Sequence, residues 1–387
     1  MKSTFLKFKQ TKLGHLLNSI NNKNEKFKIV KTERILKYNI IYSKNRLFEY
    51  ISLAKIIATF SVVILHTNGA FWGFNYNNYK TYWISANIIE SIFYFAVPFF
   101  VLCIGATLLD FNERYGLKKY CYRRIVKVVI PLISWNILLY IFRVYIIRNM
   151  NKETINFKNL WNIYFDNKVY LIFGSFHIFL LTYMIIPLLA YVEKPKKIKI
   201  YSYCFITLLI TQGLSPYLIS LISPNLIWPY KIQIGYIIYI VAGYIIENYR
   251  FNFILKLLIY LLGIISLLIH IIGTKILTIR YKKVITLHKG YLNLPCIIYS
   301  CSLFLLLKEY NYLLFKIFDK KIINKIGSLT IGPFFIHLPV IDLCRNIFKI
   351  NIFSFSYRLF GGIIITIICL IITFFLKKLP LIKYLVP

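Results

Sequence analysis

The sequence repeats one pattern from residue 50 almost to its end, namely apolar runs of about 20 residues separated by short basic segments. A run of that length crosses about 30 Å of hydrocarbon as an α-helix, which satisfies its own backbone hydrogen bonds. The runs are continuous and do not alternate with polar residues, which excludes a membrane β-barrel. Composition agrees, because only 16% of residues are charged and 58% are hydrophobic. The sequence therefore predicts an all-α, polytopic membrane bundle.

The apolar runs predict about ten transmembrane helices, placed at 50–73, 83–109, 125–147, 170–191, 200–221, 231–248, 253–272, 290–307, 328–346 and 357–376. Lys and Arg are denser in the segments that a cytoplasmic N-terminus would place inside the cell. The positive-inside rule then puts both termini in the cytoplasm. We expect a basic cytoplasmic tail at 1–46, a transmembrane domain at 47–380 and a cytoplasmic C-terminus at 381–387.

The strongly basic charge follows from this topology. The net charge is +35, yet most Lys and Arg lie between the apolar runs, where membrane orientation and anionic lipid account for them better than nucleic acid does. The seven cysteines are scattered, without a CxxC pair and without histidines at metal-ligand spacing. We therefore expect neither disulfides nor a bound metal.

Two ionisable residues interrupt the first apolar run, Lys55 and His66. Eleven residues make three helical turns plus about 20°, so the two side chains share one face and lie about 16 Å apart along the axis. Ionisable groups at membrane depth are costly and often functional. The alternatives are that Lys55 extends to the lipid headgroups and that His66 is a packed, hydrogen-bonded core residue.

The first run and several later segments resemble the sequence motifs of acyltransferase family 3, and they occur in the same order as in that family. The Lys55 to His66 spacing is similar to the family's basic residue, ten residues, then His. The later segments are AVPFFVLCIGATLL at 96–109, YRRIVKVVIPLISWNILLY at 122–140, FHIFLLTYMIIPLL at 176–189, YIVAGYII around Gly243 and IGSLTIGPFFIHLPVI at 326–341. The sequence departs from the family where Lys55 and Lys127 replace Arg and Phe179 replaces a frequent Trp.

This resemblance implies a membrane O-acyltransferase of the bacterial cytoplasmic membrane. The variant that looks closest is the group containing the enterobacterial common-antigen O-acetyltransferase and the intercellular-adhesin modification protein. Acyl-CoA is then the expected co-substrate, entering from the cytoplasm without a metal. The expected acceptor is a hydroxyl of an envelope glycan or a lipid-linked sugar, with glycan-assembly proteins as further partners. The resemblance implies acetyl as the acyl group, and succinyl is the alternative.

Specific residues can be matched to these tasks. A neutral imidazole is a suitable base near pH 7, so His66 is the candidate that removes the proton of the acceptor hydroxyl; a transient acyl-histidine is the alternative. Cations suit the anionic head of acyl-CoA, and the candidates are Lys55, Arg123, Arg124 and Lys127. The competing interpretation of the cluster at 123–127 is positive-inside anchoring.

Three further candidates lie in other spans. Glu90 is a carboxylate at about the depth of His66 and is the candidate that orients its imidazole; alternatively it bonds to backbone or another helix. His177 and His337 are candidates for acceptor binding, or else packed histidines.

Two other functions compete with acyl transfer. A polysaccharide exporter or flippase would share the apolar pattern, although the internal repeat common in transporters is not evident. A non-catalytic scaffold in a glycan-assembly complex is the third possibility, against which the intact His66 argues.

Overall fold

The structure is a computed structural model that describes residues 49–147, 173–222, 233–380 and 382–386. The chain divides into two units, Met1–Tyr50 and Ile51–Pro387, and the first contributes only its last two residues to the described set. The tail predicted at 1–46 therefore lies outside the described residues. Within them the chain forms helices joined by turns, with no strand, which confirms the all-α prediction.

The helices are numbered here in chain order. The first eight are α1 Glu49–Thr67, α2 Tyr79–Phe93, α3 Ala96–Leu108, α4 Leu117–Arg124, α5 Ile130–Phe142, α6 Phe173–Ala190, α7 Lys194–Leu208 and α8 Ser215–Ile222. The remaining seven are α9 Ile237–Asn248, α10 Phe253–Leu268, α11 Thr274–Tyr281, α12 Leu294–Phe315, α13 Lys320–Gly327, α14 Ile331–Phe348 and α15 Gly362–Leu376. Several are joined end to end through wider π-type turns, so that α4 and α5 form one rod, as do α7 and α8, and α10 and α11.

Seven helical segments of the described chain are long and apolar enough to cross a bilayer. They are Glu49–Thr67, Tyr79–Glu113, Leu117–Ile146, Lys194–Ile222, Phe253–Tyr281, Ile331–Phe348 and Tyr357–Leu376. Two further apolar helices, Phe179–Ala190 and Ile237–Asn248, are shorter. The 22-residue α12 has the length of a span but carries Lys308, Glu309 and Asn311 in its second half. A multi-pass membrane protein is thus supported, whereas a count of ten spans is not confirmed.

Prolines account for two departures from the predicted helices. The run predicted at 83–109 is broken at Tyr94 and Phe95. Pro98 is the cause, because its ring collides with the carbonyl of Tyr94 and its backbone has no N–H to donate to that carbonyl. Pro131 acts in the same way on the third run, where residues 125–129 widen into a π-type turn. Both breaks are local consequences of the sequence.

The closest helix crossing in the described bundle joins α3 to α9 through two glycines. A Cβ on Gly105 would lie 2.0 Å from the Ile240 carbonyl oxygen, and one on Gly243 would lie 2.2 Å from that of Leu102. Each glycine therefore admits the backbone of the other helix. Small residues at such crossings are a common means of helix association in membranes.

Helix α1 is enclosed by the bundle. In its membrane window 61% of residues are buried, and the window of α2 and α3 reaches 67%, compared with 17% for the rods Lys194–Ile222 and Phe253–Tyr281. Gly362 of α15 packs against Ile64, and the Thr67 hydroxyl donates to the Arg358 carbonyl at 2.9 Å. Of the two residues predicted to be functional on α1, Lys55 is half-buried and His66 is exposed.

Replacing Gly243 tests the crossing. Gly243→Ala places a methyl group against backbone that cannot move aside, so the free energy of unfolding should fall by about 1–3 kcal/mol or more. The measurement is thermal unfolding of the purified protein in detergent. Gly116→Ala is the matched control, because a Cβ there meets nothing within 4 Å. Equal midpoints for the two variants would contradict the close approach of α3 and α9.

Candidate active site

The structure places two of the predicted histidines side by side. The imidazole rings of His66 on α1 and His337 on α14 have centroids 5.0 Å apart and are tilted by 47°. His337 is fully buried, and its Nδ1 donates to the Pro333 carbonyl oxygen at 2.7 Å. Its Nε2 is buried and has no hydrogen-bond partner among the described residues. Two helices distant in sequence thus meet at a pair of imidazoles.

His66 itself faces open space. Its side chain is exposed, although α1 is enclosed and protein surrounds the ring. It makes no hydrogen bond to any residue of the described chain. An accessible imidazole without hydrogen bonds is available to a ligand.

Some of the predicted cations converge at the other end of α1. The Lys55 charge acts on the Cys103 thiol of α3, and both Cys103 and Arg124 act on the hydroxyl of Tyr183 in α6. The Arg124 guanidinium lies 5.4 Å and 5.0 Å from the ring centroids of Tyr120 and Tyr183. Its Nε is buried without a partner in the described structure. Lys55 and Arg124 are thus linked electrostatically through Cys103 and Tyr183, and Arg124 retains a free N–H donor.

The other two predicted cations are placed differently. Lys127 is exposed and its charge acts on Lys377, whose Nζ donates to the Ser328 carbonyl at 2.8 Å. Arg123 lies over the Tyr115 ring at 4.4 Å, because consecutive helical residues point about 100° apart. Lys127 thus borders the same end of the bundle, whereas Arg123 is directed toward a connecting loop.

Glu90 is part of a separate buried network. Its Oε2 accepts from Asn68 Nδ2 at 3.0 Å. Lys289 Nζ donates to Ser91 Oγ at 2.7 Å and to the Asn87 carbonyl at 3.2 Å, and its charge interacts with that of Glu90. Burial lowers the pKa of Lys289, and the Glu90 carboxylate acts in the opposite direction. The carboxylate is matched by an amide and a cation.

In the structure Glu90 binds Asn68, whereas the sequence suggested His66 as its partner. Asn68 lies in the turn that follows α1, two residues after His66. This contact is of the kind that the alternative interpretation of Glu90 describes, namely a hydrogen bond to another part of the chain. The orienting role of Glu90 toward His66 stays a prediction.

The remaining candidates and the residues that were missed complete the site. His177 falls in the part of α6 whose side chains lie outside the described residues. Tyr183, Cys103 and Lys289 carried no predicted role. Of these, Lys289 could have been expected from the sequence, because a single carboxylate in an apolar span is destabilising unless a cation is buried with it.

A sequence profile described as an acyltransferase domain matches residues 48–374, which is most of the chain. The protein belongs to acyltransferase family 3. Neither the curated proteins nor the solved structures give a significant match to it. The matched range includes α1 and α14, so both histidines of the pair lie within the acyltransferase domain. Membership supports a membrane acyltransferase and gives no support to the exporter alternative.

The Glu90 network in this acyltransferase yields a prediction on stability. Glu90→Gln or Lys289→Met alone leaves one charge buried and uncompensated, which should lower the free energy of unfolding by about 3 kcal/mol. The double variant should recover most of that loss, and Glu90→Gln should keep its catalytic rate. Thermal unfolding measures the first effect, with Lys283→Met in the same loop as an exposed control. Purely additive losses would show that the two charges do not interact.

Proposed function

We propose that this acyltransferase moves an acyl group from acyl-CoA to a hydroxyl of an envelope polysaccharide or lipid-linked sugar in the bacterial cytoplasmic membrane. The observation that carries the proposal is the accessible His66 beside the buried His337, with the Lys55 and Arg124 group at the opposite end of α1. The resemblance to the common-antigen and adhesin-modification group supports a polysaccharide acceptor and acetyl as the acyl group.

His66 acts as the general base. Its neutral imidazole removes the proton of the acceptor hydroxyl while the oxygen attacks the thioester carbonyl. The carbon–sulfur bond then breaks, the CoA thiolate leaves, and the imidazolium returns the proton to it.

His337 positions the base and does not contact the acceptor. It is fully buried and its Nδ1–H is committed to the Pro333 carbonyl, so its Nε2 is an acceptor without a partner in the described structure, on a ring 5.0 Å from that of His66. Accepting the N–H of His66 would leave the other ring nitrogen of His66 unprotonated toward the cavity. An imidazole oriented by a fixed neighbour is the arrangement that general-base catalysis needs.

The cations at the far end of α1 bind the donor. Arg124 retains an unpartnered N–H, and Lys127 and Lys377 are like charges whose repulsion a bound phosphate would relieve. Lys55 and His66 are about 16 Å apart along the helix. A long, thin pantetheine arm can extend over that distance, which brings the thioester to His66 while the anionic head stays with the cations.

The role of His66 is tested by His66→Gln. Gln keeps polarity and approximate size but cannot take up a proton at neutral pH, so acyl transfer should fall by about 10²–10⁴-fold. The measurement is acyl transfer from labelled acyl-CoA to de-acylated surface glycan by the purified full chain. His288→Gln is the matched control, since that imidazole binds the Tyr217 hydroxyl away from the pair. Normal transfer by a well-folded His66→Gln protein would exclude His66 as the base.

The donor site is tested by the double variant Arg124→Gln/Lys127→Gln. Loss of charge-assisted phosphate contacts should raise the KM for acyl-CoA by about 10- to 100-fold and leave kcat nearly unchanged. Lys118→Gln, an exposed cation on the same helix, is the control. An unchanged acyl-CoA titration would assign Arg124 and Lys127 to membrane anchoring.

A further inference from the structure

A pocket of about 480 Å³ opens beyond the His66 end of α1. Its lining contains the amides of Asn75, Asn78 and Asn351, two hydroxyl side chains, and the rings of Tyr82 and Phe353. None of its lining residues is charged, which distinguishes it from the cationic end where an anionic donor would bind. Its size is ordinary for a site that holds a small organic molecule.

The polar groups of the pocket have unused hydrogen-bonding capacity. Asn75 Oδ1 accepts from the Asn77 backbone at 3.0 Å and Asn351 Oδ1 from that of Phe353 at 2.9 Å, which fixes both amides. Their NH₂ groups, and the whole amide of Asn78, have no hydrogen-bond partner among the described residues. Fixed amides with free donors and acceptors match the paired hydroxyls of a sugar ring.

An aromatic surface completes this lining. Tyr82 and Phe353 meet edge to face with centroids 4.7 Å apart, and Phe353 is 44% exposed. The negative face of an aromatic ring attracts the C–H groups on the apolar side of a sugar. Beneath the pocket, Arg358 holds Tyr82 in place by donating from Nη1 to its carbonyl oxygen at 3.0 Å and from Nη2 to Ser85 Oγ at 2.8 Å.

The helices that carry the two histidines both continue into the pocket wall. Gly73 lies in the segment that follows α1, the helix of His66, and Asn351 lies in the segment that follows α14, the helix of His337. The pocket is nevertheless displaced from the imidazoles along the helix axis. Tyr82 precedes Ala86 and Glu90, the α2 residues that bind Asn68 at the end of α1, by four and eight residues, which is about 6 and 12 Å of helix.

We propose that this pocket is a distal saccharide subsite, which holds one sugar unit of a longer acceptor while a neighbouring unit presents its hydroxyl to His66. The inference rests on the proposed function and adds that the acceptor is an oligosaccharide or polysaccharide. A single sugar bound in the pocket lies too far outward to react. Chain length of the acceptor therefore becomes a determinant of catalytic efficiency.

The experiment compares acceptors of graded length. De-acylated surface glycan from the producing cells is cut into single sugars, disaccharides and fragments up to hexasaccharides, and kcat/KM for acyl transfer is measured with the full chain in detergent. The double variant Asn78→Ala/Asn351→Ser removes two amides, while the serine hydroxyl retains the turn at Phe353. Asn77→Ala is the matched control, because its exposed side chain lies outside the lining.

The expected result is that wild-type kcat/KM rises with length and that the double variant loses about 5- to 100-fold on the longest acceptors, as two neutral hydrogen bonds predict. Single sugars and the KM for acyl-CoA should be unaffected. Equal losses on single sugars and long acceptors, or no loss at all, would overturn the subsite.

Calorimetric binding of the same fragments separates this inference from the proposed function. Length-dependent binding that the double variant weakens, without any acyl transfer by the wild type, would support the pocket and refute the proposed reaction. Acyl transfer together with binding that is independent of length would refute the pocket alone. Failure of every fragment to bind would also overturn it.

Discussion

The cost of burying polar groups in a membrane protein organises this molecule around α1. An unpaired polar or charged group in a low-dielectric interior is expensive, so each such group on an enclosed helix requires a partner or an accessible cavity. His66, in the last turn of α1, and Asn68, directly after the helix, have different surroundings. His66 meets His337 and open space, whereas Asn68 meets the Glu90 carboxylate in a closed network.

The surroundings of His66 therefore differ from those of Asn68 in their hydrogen bonding. The closed side binds α1 to α2 and to the loop that carries Lys289, and it leaves no described group pointing at His66. The accessible side has a cationic group at one end and a neutral pocket beyond the other. Close packing of Gly105 and Gly243 brings α3 and α9 together on the side of the bundle that holds Cys103. The two ends of the accessible side therefore differ in charge.

The family assignment and this geometry support each other at different levels. The profile match establishes an acyltransferase domain over 48–374. The placement of His66, His337, Lys55 and Arg124 supports the proposed path from donor to base. The acceptor, by contrast, is inferred from unused amide groups and an exposed ring at one pocket, which is why its chain length is the property to measure.

Sequence alone determined the class of fold and pointed to a candidate site on α1. Continuous apolar runs specify membrane helices because the bilayer enforces their length. A histidine at fixed spacing from a cation made α1 the candidate site helix. The breaks between α2 and α3 and between α4 and α5 also have a local cause in the sequence, namely Pro98 and Pro131. Only the tertiary structure decided which side chains meet. It pairs His66 with His337 and gives Glu90 the partners Asn68 and Lys289. It also links Lys55 electrostatically to Arg124. Periodicity gives the depth and face of a residue on its own helix, but the rotation of each helix against its neighbours is set by packing of the whole bundle.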